Sequence, residues 1–271
     1  MNKNNYLDKI NFTNDVVFKE VMVKQKELCK ELIQRCVPDL KIEEIEIVES
    51  EKELAIGLNT KKLRIDAYTS NKETEYAIEM MTYQVKSIEK YGRYHQSMLD
   101  ANLEIGKSPW ELKDTIVIIL CTYDPLGLGL PKYTIQSRID EANEYVYKDG
   151  RRVVIVTAVG LQKAPEEIKP IVQLLANKPG NDTFTKQIQS AVENAKMEPE
   201  MRRYLMDWEL KEQLMKEEFR EEGLKKGLEQ GRQEALEVGI QDLIKHLHIS
   251  REEAIKLLEQ EQEEKQKEVT S

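Results

Sequence analysis

Residues 63–81, LRIDAYTSNKETEYAIEMM, restrict what this chain can fold into more than any other stretch. Leu63 to Thr69 and Glu75 to Met81 both alternate with period two and are rich in β-branched and aromatic side chains, the pattern of two strands. Ser70, Asn71, Lys72 and Glu73 between them supply a turn. A hairpin symmetric about residues 72 and 73 sets Asp66 opposite Glu79, with Cβ atoms about 4.5–5.5 Å apart. Ile65, Ala67, Tyr76, Ile78 and Met80 then share the other, apolar face. Two carboxylates facing each other across a sheet repel and bring no structural gain. A divalent cation between them removes the conflict, because a hard ion such as Mg²⁺ takes one or two carboxylates and completes its shell with water and phosphate oxygens. The plainer alternative is a solvated strand face that carries two unrelated acids.

The neighbours of the hairpin set its context. Asn14 or Asp15 caps a helix running to Pro38, with Phe18, Val21, Met22, Leu28 and Leu32 as core positions. Lys41 to Val48 alternates weakly and reads as a strand. The pattern from Tyr83 to Ile105 is helical again, with Gly106 as its C-cap. On that helix Lys86, Lys90 and Arg93 are spaced to line one face beside Glu79, a basic stripe suited to the phosphates of a DNA backbone or else a solvated helix face. Asp114 to Thr122 and the RRVVIVTAVG run after Gly150 are continuous β-branched strands, the kind buried on both faces of a sheet. Hairpin, helix, central strand and further strand make an α/β fold, a mixed central sheet flanked by helices. This domain is expected over residues 8–178, with a charged helical extension over 179–271. Gly223, Gly227 and Gly231 recur every four residues in the extension. Such a row lets a second helix approach closely, which points to a homo-oligomer, or else marks a solvated helix.

Composition excludes several classes. No apolar run approaches the roughly 18 residues a membrane span needs, so no membrane partner is expected. The opening MNKNNYLDKINFTND has no apolar signal core, so export is not expected. The three cysteines, Cys29, Cys36 and Cys121, are an odd number without a CxxC pair, as in a protein of the reducing cytoplasm. The only histidines, His95, His246 and His248, have no zinc-ligand spacing. No GxxxxGK[ST], GxGxxG or GxSxG occurs, so no organic cofactor is indicated. The net charge of −9 argues against nucleic acid, yet residues 196–271 hold 14 Lys and Arg against 20 Asp and Glu and so carry most of it. The nearly neutral remainder leaves room for a local basic stripe.

Taken in order, the motifs resemble one family. Asn14-Asp15-Val-Val-Phe18-Lys19 resembles D-x-x-F-K, Arg64-Ile-Asp66-Ala-Tyr68 resembles R-L-D-V-Y, and Ala77-Ile-Glu79-Met-Met81 resembles I-E-M-Q. Arg93-Tyr-His-Gln-Ser-Met-Leu-Asp100 resembles R-Y-Y-Q-S-M-x-D, and Ile118 to Gly127 resembles I-F-I-C-x-x-D-P-F-G. Together they resemble the Rpn-type recombination-promoting nucleases, often labelled transposases, of the P-D-(D/E)-x-K superfamily. The resemblance implies a restriction-endonuclease-like core and a metal-dependent DNA endonuclease of recombination, mobile elements or phage defence. It implies that Asp66 and Glu79, with Asp15, hold Mg²⁺ (or Mn²⁺ or Ca²⁺). The chain departs from the family at Met81, where Gln or Lys is usual, and at Tyr91 and His95, where Arg and Tyr are common. Methionine neither orients a water nor stabilises a phosphorane. Arg64 is the replacement cation that the hairpin register offers, and Lys19 is another. The alternative is a nuclease fold without catalysis that binds DNA or assembles as an oligomer.

Overall fold

Ile116 to Cys121 is apolar throughout and has to be covered on both sides, and the chain builds its sheet around this run. The computed structural model describes residues 4–55, 61–101, 103 and 106–257. In chain order its elements are α1 (Asn4–Leu7), α2 (Asp15–Lys24), α3 (Lys26–Cys36), β1 (Glu49–Leu54), β2 (Leu63–Ser70), β3 (Thr74–Met81), α4 (Ile88–Asp100), β4 (Asp114–Cys121), β5 (Lys132–Ile135), β6 (Arg138–Ile139), β7 (Ala142–Val146), β8 (Arg151–Thr157), α5 (Lys169–Leu175), α6 (Thr183–Met197) and α7 (Pro199–Leu247). Six strands form a mixed sheet in the order β1-β2-β3-β4-β8-β5, and β6 with β7 forms a separate two-stranded ribbon. β3, β4 and β8 run parallel, while β1-β2, β2-β3 and β5-β8 are antiparallel. The α/β class and the helix-flanked mixed sheet are as the sequence patterns predict.

The hairpin register is the symmetric one: Ala67 pairs with Ile78, Tyr68 with Ala77, Thr69 with Tyr76 and Ser70 with Glu75. Asn71 makes the turn, its Oδ1 accepting from the N–H groups of Glu73 (3.0 Å) and Thr74 (2.8 Å). One face of the sheet packs Ala77, Met81, Val117, Ile119, Cys121, Val153 and Ile155 against Ile88, Met98 and Leu99 of α4. The alternate residues Ile116, Ile118, Leu120, Val154 and Val156 are buried as well. Each such Ile or Val removed from water contributes roughly 1.5–3 kcal/mol. Ile65 joins the cluster with Ala77 and Met81, whereas Ala67 does not. Strict alternation, which grouped Ile65 with Ala67, therefore fails at Asp66 between them.

Other boundaries differ from the sequence reading for local reasons. Asn14 is the N-cap, its side chain accepting from Val17 N–H, but the first helix breaks at Gln25. Residues 24–27, KQKE, offer no apolar side chain to hold that turn on the core. Residues 41–48 form no strand; Ile42, Ile45 and Val48 are buried in irregular chain. The strand comes next, as the charged edge segment Glu49–Leu54, recruited by backbone pairing to β2. The helix expected from Tyr83 begins only at Ile88, capped by Ser87, and ends at Asp100 well before Gly106; residues 102, 104 and 105 of that expectation lie outside the described residues.

The first compact unit extends to Arg203 and the second starts at Tyr204, within α7. The boundary expected at 178 is a loop, because α6 beyond it buries Phe184, Ile188, Val192 and Ala195 and packs against α2 and α3. In the second unit Ser250 and Glu253 form a capping box, and Arg251 reaches both Glu237 oxygens at 2.6 Å. Among the described residues no helix is long and apolar enough to cross a membrane.

Gly92 is where α4 comes closest to the sheet. A Cβ there would stand 3.2 and 3.3 Å from the Val153 methyls. Gly92→Leu is expected to lower the unfolding free energy by about 1–3 kcal/mol, the usual cost of overpacking. Urea denaturation checks this, and an unchanged midpoint would show that α4 does not seat on Val153.

Candidate active site

Asp66 sits where two ladders fail. The β1-β2 pairing runs from Ser50–Ala67 to Lys52–Ile65 without it, and the β2-β3 pairing stops at Ala67–Ile78. Opposite, Glu51 adopts φ 54, a left-handed conformation uncommon outside glycine. Carboxylates take the place of the missing ladder bonds. Met80 N–H donates to Asp66 Oδ2 (3.0 Å), and Asp66 N–H donates to Glu79 Oε1 (3.3 Å). Each acid thus satisfies a backbone donor next to the other, and the strands part between them. Glu79 lies near the carboxyl end of β3, the edge of a parallel sheet where ligands generally bind.

Both acids are withdrawn from water, with side-chain exposures of 14% for Asp66 and 4% for Glu79. One ammonium serves the group. Lys19, from the middle of α2, is buried and places Nζ 2.8 Å from Asp15 Oδ2, 3.2 Å from Asp66 Oδ1 and 3.4 Å from Glu51 Oε1. Burial alone would lower the Lys19 pKa, but Asp15 and Asp66 more than offset it and hold the amine above its ordinary value. Asp66 is raised as well, which for an acid disfavours the charged form. Burial first, then the charge of Glu79, push it up to about 6, against the opposing pull of the Met80 N–H and Lys19.

Glu79 is gripped from α4. Tyr91 Oη donates to Glu79 Oε2 at 2.8 Å, and burial with the Glu79 charge holds the phenol above its ordinary pKa, so it stays a donor. His95 is fully buried, with Nδ1 3.0 Å from the Tyr91 carbonyl. A carbonyl only accepts, so Nδ1 carries the hydrogen. Nε2 lies 3.2 Å from Glu79 Oε1 but off hydrogen-bond alignment, and it has no other partner.

The remaining candidates are placed as follows. Asp15 opens α2 and reaches Asp66 only through Lys19. Arg64 is exposed and turns to Glu51, with Nη1 3.8 Å from Oε1, and among the described residues it makes no ion pair with either central acid. Met81 is buried in the apolar cluster under α4 and gives the site no polar atom. Lys86 precedes the Ser87 cap, so it does not share a helical face with Lys90 and Arg93; all three side chains are exposed. Sequence reasoning missed Glu51, on a strand with no apolar signal, and gave no role to Tyr91 and His95. Their i, i+4 spacing on the helix after Glu79 is the signal that was available.

Among the described residues no three His, Cys, Asp or Glu side chains converge to hold a metal ion. The donor chemistry of the central pair nevertheless fits a hard cation. Asp66 and Glu79 raise each other's energy, a single ammonium is shared among Asp15, Glu51 and Asp66, and Mg²⁺ needs only one or two protein carboxylates. No family model, curated protein or solved structure matches the chain, so the reading of the site rests on its own geometry.

The charge cost at Asp66 has a pH signature. Its folded pKa, about 6, stands above the ordinary 3.8, so the native state holds the proton more tightly than the unfolded chain. The cost is absent at low pH, develops as pH rises between these values, and is complete above them. Metal-free Asp66→Asn is therefore expected to exceed wild type in stability by about 1–3 kcal/mol at pH 8, with the gap closing toward pH 4. Thermal melts across this range in a chelating buffer test it; a gap that does not change with pH would rule out the buried charge as its cause.

Proposed function

We propose that this chain is a metal-dependent DNA endonuclease with a restriction-endonuclease-like core. The observation that carries the reading is the Asp66–Glu79 pair: a half-buried and a buried carboxylate at a parted hairpin, bordered by one buried ammonium. Burying two like charges side by side costs stability, and a buried acid pushed up by burial and a neighbouring charge, as Asp66 is, marks a candidate functional site. Mg²⁺ or Mn²⁺ held by Asp66 and Glu79 would supply water activation and charge stabilisation at the leaving oxygen. Lys19 takes the part expected of a lysine at position 81 and of Arg64, a fixed cation beside the acids for the charge that develops on phosphate. Lys86, Lys90 and Arg93, exposed around the start of α4, hold the DNA backbone. Asp15 orients Lys19 through its 2.8 Å ion pair. The three buried, unpaired thiols support a cytoplasmic setting, and recombination, mobile-element movement or phage defence is the role that the motif resemblance implies.

A second reading is favoured by one observation: Met81, at the position where the resemblance expects a polar residue, is sealed in the core. On that reading the fold binds DNA without cutting it. The alternatives separate in one assay, nicking of supercoiled plasmid with Mg²⁺ or Mn²⁺. Wild type is expected to nick, Asp66→Ala and Glu79→Ala to fall to background, and Lys19→Met to lose about 10²-fold. Arg64→Ala should retain nearly full activity. Folded wild type that leaves the plasmid intact with both metals would remove the catalytic reading. Activity that then appears in Met81→Gln would identify Met81 as the cause.

We further propose that the second unit pairs with another copy of the chain. Leu210, Leu214, Leu224 and Leu228 of α7 are all more than half exposed and recur on one side of the helix, an apolar stripe. Sedimentation velocity is expected to show an oligomer that dissociates in Leu224→Glu/Leu228→Glu. A wild-type chain that stays monomeric at all concentrations would remove this proposal.

A further inference from the structure

Glu79 has a second set of partners that the proposed reaction does not use. Of its two oxygens, Oε2 takes the Tyr91 hydroxyl at 2.8 Å, and Oε1 has the His95 ring nitrogen at 3.2 Å. Tyr91 and His95 are themselves joined: Nδ1 of His95 donates to the Tyr91 carbonyl at 3.0 Å, and the rings lie 4.2 Å apart between centroids. Both residues stand one turn apart on α4, the helix that seats on the sheet through Gly92.

We propose that Tyr91 and His95 form a clamp that fixes the rotamer of Glu79, making them positioning residues for the divalent cation. This inference rests on the metal-dependent reading of the Asp66–Glu79 pair. A free Glu side chain samples several rotamers and loses that freedom when it binds a metal. Here the phenol hydroxyl and the imidazole wall restrict it beforehand, so the cation meets an oriented oxygen. The clamp also explains a departure from the resemblance. An Arg at position 91 would compete with the cation for Glu79, whereas a tyrosine donates one neutral hydrogen bond and leaves the carboxylate its charge. Because Tyr91 contributes through Glu79, its loss should lower metal affinity and leave the fold in place.

The test is isothermal titration of the full, metal-stripped chain with Mn²⁺, together with its thermal midpoint. Tyr91→Phe keeps the ring and removes only the hydroxyl; its Mn²⁺ dissociation constant is expected to rise by about tenfold or more. Tyr94→Phe is the control on the same helix, since its hydroxyl donates to the Lys61 carbonyl at 2.6 Å, and its affinity should match wild type. His95→Asn, which keeps a donor for the Tyr91 carbonyl and deletes Nε2, should also bind more weakly, and it decides the question should Tyr91→Phe not fold. Wild-type binding with equal affinity in the folded variants would overturn the clamp and leave the metal site standing. No Mn²⁺ binding by folded wild type would overturn the metal-dependent reading and the clamp with it.

Discussion

The burial of like charges around a single ammonium is the constraint that orders the rest of this molecule. Asp66 and Glu79 lie on facing strands, screened from solvent, while Lys19 is the one cation within ion-pair distance of Asp66 among the described residues. Such an arrangement cannot hold itself together. It requires α2 to present Lys19 at the edge of β2, α4 to present Tyr91 and His95 over β3, and the core beneath to absorb the cost. The sheet supplies that core. β4 lies between β3 and β8, buried on both faces, and its parallel pairing to β3 continues to Met81–Cys121, past the point where β2 has parted from β3.

That parting is what makes room for chemistry. In an unbroken hairpin the Asp66 and Met80 amides would be spent on the ladder. Here they are spent on carboxylates, so the acids are held by the backbone itself. A carboxylate anchored by a backbone donor loses little orientational freedom when a ligand arrives, which is the condition for a pre-organised site. Asp66 is balanced between Lys19 and the repulsion of its neighbour, while Glu79 accepts the Tyr91 hydroxyl from α4.

Much of the framework was legible beforehand because it is written in short-range chemistry. Period-two alternation identified the hairpin, the Asn71 turn set its register, and Asn14 announced its helix start through capping. The errors have equally specific causes. β1 is made of charged residues recruited by an edge, so no periodicity marks it. Lys86 was placed on a helix because its spacing fits one, but the Ser87 cap begins the helix after it. Arg64 follows the alternation of β2 and still turns outward to Glu51.

The residue types of the site, its two central acids and the hairpin register that leads up to them were determined by sequence alone, since each depends on contacts within about twenty residues and on the fixed geometry of a turn. Only the tertiary structure decided which cation serves them. Lys19 stands far away in sequence from Asp66, and a helix packed against a sheet brings them within 3.2 Å. Likewise only packing decided that Met81 faces the core and that Tyr91 and His95 close on Glu79. Burial and charge pairing are properties of the folded whole, and no local pattern encodes them.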